Sequence, residues 1–269
     1  MKARAVALTQ LLVTRPQAQA ETWVRELCAQ GVPAQALPLL AIEPAADPAA
    51  RGAWASLARQ DFVMFVSPNA VHSFFALRPH ADAWPHGARA GSTGPGTTQA
   101  LLEAGVPAAQ IDEPARGTAA FDSEALWQQR LRARDWRQMR VLIVRGDGGR
   151  EWLADQLRGA GAQVEFVHAY RRVLPRWGAE QQSLASHAVA EPEQVVWLLS
   201  SSQAVDNLRQ LLPQATWPRA LAWATHERIA QAARTVGFGS VLTLAPTLQD
   251  VVAQWGRSIQ SNAPSDQRP

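Results

Sequence analysis

The chain has 269 residues, 47% of them apolar, a net charge of +3 and one cysteine. That length makes one large domain or two small ones, and the apolar share is ample for a buried core. No apolar run reaches the roughly 18 residues of a membrane span, so no membrane partner is expected.

The chain opens with "MKARAVALTQLLVTRP", which reads as the approach to a first strand and not as a cleaved leader. "LLVT" (11–14) is that strand, followed by Arg15-Pro16 and an amphipathic helix closed by Gly31. Cys28 lies on this helix. It reads as a small buried hydrophobe, not a catalytic thiol, and as a lone cysteine it suits a reducing compartment. A Pro-marked extended stretch, "LPLLAIEPAADP" (37–48), comes next. "FVMFV" (62–66) is a buried strand, then Ser67-Pro68-Asn69 and a helix. In "ARAGSTGPGTTQALLEAGV" (88–106) the turn is Thr93-Gly94-Pro95-Gly96-Thr97 and the helix closes at Gly105. "FDSEALWQQRLRARDW" (121–136) predicts a further helix, capped by Asp122 or Ser123, with Glu124 favourable at its N-terminus. "VLIV" (141–144) leads into Arg145-Gly146-Asp147-Gly148-Gly149 and a helix closed by Gly161. A second Pro-marked stretch, "AYRRVLPRW" (169–177), precedes the strand "VVWLL" (195–199), the turn Ser200-Ser201-Ser202 and its helix. The last such unit has the turn Thr225-His226 and a helix closed by Gly237. Residues 263–269 read as a disordered tail.

These units repeat. "LLVTRPQAQAETWVRELCAQG" aligns without a gap on "VLIVRGDGGREWLADQLRGAG", with Arg15 on Arg145 and Gly31 on Gly161, 130 positions apart. Ser67 likewise falls on Ser201 and Thr93 on Thr225. Three blocks in one order at nearly one offset indicate two equivalent halves. Strands alternating with helices imply an α/β fold with parallel sheets covered on both faces.

In such sheets ligands bind beyond the carboxyl ends of the strands, so the turn residues are the candidates. They are Arg15, Ser67, Thr93, Gly94, Thr97, Arg145, Gly146, Ser201, Ser202 and Thr225. Each hydroxyl alone is explained by N-capping; the set, with helices starting behind it, forms an anion-binding surface. Arg15 and Arg145 have a structural alternative, ion pairs with Glu21 and Glu151.

All basic residues except Lys2 are arginines, the better fork for carboxylate and phosphate. The run "RLRARDWRQMR" (130–140) is broken by acidic and apolar residues and reads as a solvated helix face, so no nucleic acid is expected. "GSTGPGT" lacks the Gly-Lys-Ser/Thr of a Walker loop, and "RGDGGR" is not a dinucleotide fingerprint. The six histidines are scattered, so no metal site is expected. Tyr170 is the only tyrosine; between two lobes it either faces the cleft or packs against the hinge, and spacing alone favours packing.

The motifs "LLVTRP", "LPLLAIEP", "DFVMFVSPNAVHSFF", "GPGTTQALLEAGV", "FDSEALW", "VLIVRGDGGREWL", "AYRR" and "SSSQAVDNL" stand in one order across about residues 11–257. In that order the chain resembles the uroporphyrinogen-III synthase family. The turn at 225–228 departs from it, with His226, Glu227 and Arg228 where a "GPGT"-like turn is common.

The resemblance implies two parallel-sheet lobes, Rossmann-like or flavodoxin-like, joined by a two-stranded linker. The lobes are not the repeat halves. One is 1–38 plus 175–262, the other 45–168, with linkers 39–44 and 169–174. It implies a cofactor-independent, metal-free cyclising lyase of haem biosynthesis. Such an enzyme closes hydroxymethylbilane to uroporphyrinogen III with ring D inverted and water lost. The ten turn residues would hold the substrate's eight carboxylates in a cleft lined by both lobes, and Tyr170 would be the catalytic acid. A cytoplasmic monomer is implied, with hydroxymethylbilane synthase, the preceding enzyme, as a transient partner. The alternative is a two-lobed small-anion or nucleotide-ligand binding protein or transferase; it needs a phosphate loop, and none is visible.

Overall fold

The computed structural model describes residues 7–45, 48–79, 83–115 and 123–261. The expected tail 263–269 and the candidate cap Asp122 lie outside these residues. The chain divides into two compact units, one from residues up to Ala41 and from Val173 onward, the other Ile42–Arg172.

The first unit is a five-stranded sheet in the order β2-β1-β9-β10-β11, with every neighbouring pair parallel. Its strands are β1 (Gln10–Val13), β2 (Ala34–Ala36), β9 (Val195–Leu199), β10 (Leu221–Ala224) and β11 (Ser240–Thr243). Its helices are α1 (Gln17–Ala29), α7 (Ala179–Ala190), α8 (Ser202–Leu211), α9 (Glu227–Val236) and α10 (Leu248–Ser261). The strand residues are apolar without interruption because both faces are covered. Leu11, Val13, Val196 and Leu198 enter one core with Trp223 and Trp255. Trp197 points the other way, against Trp217 at 5.4 Å, which stacks on Phe238.

The second unit is a six-stranded sheet in the order β3-β8-β7-β4-β5-β6. Its strands are β3 (Ala41–Pro44), β4 (Phe62–Phe65), β5 (Arg89–Ser92), β6 (Ile111–Asp112), β7 (Arg140–Gly146) and β8 (Gln163–Val173). The run from β8 to β6 is parallel throughout. Helices α2 (Pro48–Ser56), α3 (Pro68–Phe75), α4 (Pro95–Glu103), α5 (Ser123–Leu126) and α6 (Trp152–Gly159) complete it. Side chains alternate strictly between two cores: Phe62, Met64, Val141 and Ile143 enter one, Val63, Phe65, Leu142 and Val144 the other.

The repeat maps onto both sheets. By the sequence offset β1, β2, β9, β10 and β11 match β7, β8, β4, β5 and β6. In those equivalents both sheets have the same strand order, so the first unit is a circular permutation of the second. Each unit therefore takes strands from both repeat halves. The chain passes from one unit to the other between Ala41 and Ile42 and again between Arg172 and Val173. Residues 41–44 and 169–173 lie within β3 and β8 of the second sheet.

Local details follow the chemistry of the turns. Gly31 and Gly161, a matched pair, end α1 and α6 at φ of +79° and +97°, the left-handed region open to glycine. The helix expected over 121–136 is shorter: after α5 the backbone widens into a π turn over Trp127–Leu131 and stops. Trp136 folds back, buried, and its Nε1–H donates to the Leu131 carbonyl at 2.8 Å. Cys28, expected in the core, is exposed, because Leu27 takes the buried position of α1. At the edge of the second sheet Asp112 accepts two hydrogen bonds from Arg89 and one from Arg134. Burial alone would raise the Asp112 carboxyl, but these bonds outweigh it and hold it below the usual carboxylate range.

Candidate active site at the strand ends

In each sheet the connections run outward in opposite directions from one gap. The gap lies between β1 and β9 in the first unit and between β7 and β4 in the second. At such a switch point the loops at the carboxyl ends part, and ligands settle there. The candidate residues fall at these places in two sets. Arg15, Ser201, Ser202 and Thr225 follow β1, β9 and β10. Ser67, Thr93, Gly94 and Thr97 follow β4 and β5, and Arg145 and Gly146 end β7.

The two matched arginines differ in their surroundings. Arg145 is buried and used by its own turn: Nε donates to the Gly148 carbonyl at 3.1 Å and Nη2 to the Gly149 carbonyl at 3.0 Å. It also lies 4.9 Å from the Phe166 ring and 3.8 Å from the exposed Glu151. Arg15 has none of this support. Its guanidinium rests on the Trp23 ring at 4.1 Å, and its Nε is shut off from solvent with no acceptor among the described residues. Among the described residues no carboxylate lies within ion-pair distance of it, so the alternative of a pair with Glu21 does not hold. Burial pushes its pKa down to about 10, which leaves it cationic at neutral pH. A guanidinium whose Nε is buried and unsatisfied carries a cost that an arriving anion would relieve. Ser202 Oγ, in the turn after β9, is likewise buried without a partner among the described residues.

The hydroxyls divide between capping and other contacts. Ser67 and Ser201 are N-caps, accepting from the N–H groups of Ala70 and Ala204 at 3.2 and 3.4 Å. Thr93, expected as a cap, is not one; Gly94 takes the N-cap position of α4. Thr93 Oγ1 instead lies 3.1 Å from Thr97 Oγ1 and donates to the Val66 carbonyl at 3.4 Å. At the divergent turn the cap is His226, whose Nδ1 accepts from the Arg228 N–H at 3.1 Å, and Thr225 precedes it uncommitted to capping.

Beside the second switch point is a cavity of about 280 Å³, lined among others by Val66, Thr93, Arg145, Gly146, Phe166 and Arg172. Tyr170 lies behind this wall and is fully buried. The register against β7 shifts here, so that His168 faces Arg145 and Tyr170 faces Gly146. The extra residue puts Ala169 and Tyr170 both inside, breaking the alternation of a regular strand. Tyr170 Oη lies 3.1 Å from Ser67 Oγ and accepts from Arg172 Nη2 at 3.2 Å. Its ring occupies the space a Cβ on Gly146 would need.

The uroporphyrinogen-III synthase HemD family model matches residues 21–253. The chain belongs to the uroporphyrinogen-III synthase family. It is 30% identical over 241 residues to the uroporphyrinogen-III synthase of Salmonella typhimurium, covering 86% of this chain and 93% of that one. To the Escherichia coli protein of that name it is 29% identical over 245 residues, covering 86% and 93%. A mutant uroporphyrinogen III synthase of Thermus thermophilus superposes with a TM-score of 0.57 at 18% identity, over 94% of this chain and 99% of that one. The Helicobacter pylori uroporphyrinogen-III synthetase gives 0.58 at 15%, over 94% and 100%. At these identities the likeness to solved structures is one of fold: two α/β units with mostly parallel sheets.

Two residues that are not turn residues of the sequence pattern also shape this site. Arg172 lines the cavity, bonds Tyr170 Oη, and through its N–H donates to Asp147 at 3.1 Å. The signal was its place two residues after Tyr170 on one strand. Ser92 is fully buried, and its Oγ ties the Gly94 N–H and the Thr98 hydroxyl together, shaping the turn that carries Thr93. In sequence it looked like the last residue of a strand.

Proposed function

We propose that this chain closes linear hydroxymethylbilane to uroporphyrinogen III, inverting ring D and releasing water, as a cyclising lyase. Family membership supports the reaction. The observation that carries it into the structure is Arg15: a half-buried cation at a switch point whose Nε is buried with no partner among the described residues, suited to a carboxylate arm of the substrate. Charge-assisted hydrogen bonds from such a group are the strong ones. Ser202, Thr225 and Ser201 stand in neighbouring turns of that unit. Ser67 and Thr93, with Gly94 permitting close approach of the backbone, form the corresponding surface of the second unit; Thr97 is buried and supports Thr93, and Gly146 makes room for the Tyr170 ring. Arg145 acts there by shaping the loop 146–149, since two of its donors are already used by that loop.

The chemistry asks for two things of these residues. A flexible tetrapyrrole chain must be held so that ring D reacts at its substituted carbon, which is a task of orientation. The departing hydroxyl must also receive a proton, which is the task of the Ser67–Tyr170 pair. The proposal places the protein in the cytoplasm, where it receives substrate from hydroxymethylbilane synthase. Among the described residues no helix is long and apolar enough to cross a membrane.

Expression in a bacterial strain that lacks its own uroporphyrinogen-III synthase tests this in the cell. The chain should restore growth without added haem. Failure of well-expressed, folded protein to do so would count against the reading.

A further inference from the structure

The hydrogen bonds around Tyr170 settle which hydroxyl can reach a substrate. Tyr170 is fully buried, so its own hydroxyl cannot touch a ligand. Among the described residues two groups lie within hydrogen-bond distance of its Oη: Arg172 Nη2 at 3.2 Å and Ser67 Oγ at 3.1 Å. A guanidinium donates and never accepts. The Tyr170 hydrogen therefore has one acceptor, Ser67 Oγ; any other orientation leaves a buried donor unsatisfied. Ser67 Oγ also accepts from the Ala70 N–H at 3.2 Å. With both lone pairs engaged, its own hydrogen is the donor that this series of hydrogen bonds leaves free. Ser67 is half-buried, at the mouth of the β4–β7 gap, beside Val66 of the cavity wall.

We infer that Ser67, not Tyr170, is the residue that hands a proton to the substrate, and that Arg172 and Tyr170 are positioning residues that fix the direction of this relay. The inference rests on the function proposed above. In the step, the Ser67 hydrogen passes to the leaving hydroxyl of hydroxymethylbilane. The C–O bond breaks, and both electrons leave with water. The Tyr170 proton refills Ser67 Oγ, and the resulting phenolate faces the Arg172 guanidinium. A phenol releases a proton far more readily than an aliphatic alcohol, so the charge rests on Tyr170 and not on Ser67. The proton released when the last pyrrole regains its aromaticity restores the phenol. The net reaction loses only water.

Steady-state turnover of hydroxymethylbilane by the full chain tests this, with melting temperatures recorded for every variant. Ser67→Ala should lower kcat by ~10²-fold with KM nearly unchanged, the scale of a general acid. Ser67→Asn keeps an N-cap as good as serine but holds no proton it can transfer, and should lose as much. Ser67→Thr should recover most of the activity. Tyr170→Phe should lower kcat similarly, and adding it to Ser67→Ala should cause no further fall, because the two act as one unit. Arg172→Met should lower kcat, and Arg172→Lys, which keeps an N–H donor, should restore it. If Ser67→Ala and Ser67→Asn keep full kcat while Tyr170→Phe loses it, Tyr170 acts directly and the relay is wrong. Multiplicative losses in the double variant would also overturn it. Absence of any turnover by the wild-type protein would overturn the functional reading and the relay with it.

Discussion

Gly146→Ala is expected to lower kcat by ~10²-fold and to destabilise the protein by roughly 2 kcal/mol. A Cβ on Gly146 would stand 2.6 Å from Cε2 and 2.7 Å from Cζ of Tyr170, far inside contact distance. The backbone of Gly146 is not in the left-handed region, so the conflict is one of space alone. The tyrosine ring cannot swing away freely, because it is fully buried in the core with Phe65, Val144 and Ala169. The new methyl therefore displaces the ring or pushes β7 from β8. Either shift moves Oη from Ser67 and Arg172 and breaks the relay. Thermal unfolding should register the strain as a fall of about 4–8 °C, given about 2–4 °C per kcal/mol for a chain of this size. Adding Tyr170→Leu to Gly146→Ala removes the ring edge that the methyl meets. The pair should regain part of the lost stability and none of the lost activity, a non-additivity expected of side chains in contact. Full activity in Gly146→Ala with an unshifted melting temperature would show that Tyr170 has room the structure does not give it.

Arg15→Met should separate substrate binding from folding. KM for hydroxymethylbilane is expected to rise about 10-fold, the cost of a charge-assisted hydrogen bond to a carboxylate. Stability is expected to hold or to rise by about 1 kcal/mol, because the change removes a half-buried cation with no counter-charge among the described residues and keeps an apolar stem on Trp23. The sign with pH follows from the depressed pKa. The unfolded chain binds the proton more tightly than the folded one, so the folded state carries its full penalty below about pH 10 and sheds it as pH rises through that value. Arg145→Met, at the matched position, should behave in the opposite way. It removes the bonds to Gly148 and Gly149 and should lower stability by roughly 1–2 kcal/mol. Kinetics and chemical denaturation of the two variants side by side check this. A destabilised Arg15→Met with unchanged KM would make Arg15 a structural residue.

The contrast between these arginines shows where the sequence spoke and where it was silent. Uninterrupted apolar runs such as "FVMFV" and "VLIV" announced parallel strands covered on both faces, because only such strands need no polar side. The matched glycines announced helix ends, since few residues other than glycine accept a left-handed φ. Turn residues at the carboxyl ends of strands could be named from the same grammar. The fate of each side chain could not. Arg15 and Arg145 occupy equivalent positions, yet Arg145 is held by the carbonyls of a Gly-rich turn and Arg15 Nε has no acceptor among the described residues. That difference depends on loop conformation, which the repeat does not encode. Spacing favours packing for Tyr170 but gives no reason for its complete burial. Its burial follows from a one-residue register shift against Gly146, and no periodicity in "HAYRRV" signals such a shift. The repeat alone does not encode the permuted strand order either, since two half-repeats look alike whichever sheet each one joins; the discontinuous lobes were implied by the family resemblance and not by the repeat.

Separation of the products formed from hydroxymethylbilane is the most direct test of the account. Purified protein, supplied with the bilane and compared with buffer alone, should yield predominantly uroporphyrinogen III, with ring D inverted. Buffer alone should yield the type I isomer, because free bilane closes without inversion. The Ser67→Ala and Gly146→Ala variants should shift the mixture back toward type I as slow turnover leaves bilane to close unaided. A product mixture with the wild-type protein that matches buffer alone would contradict the account.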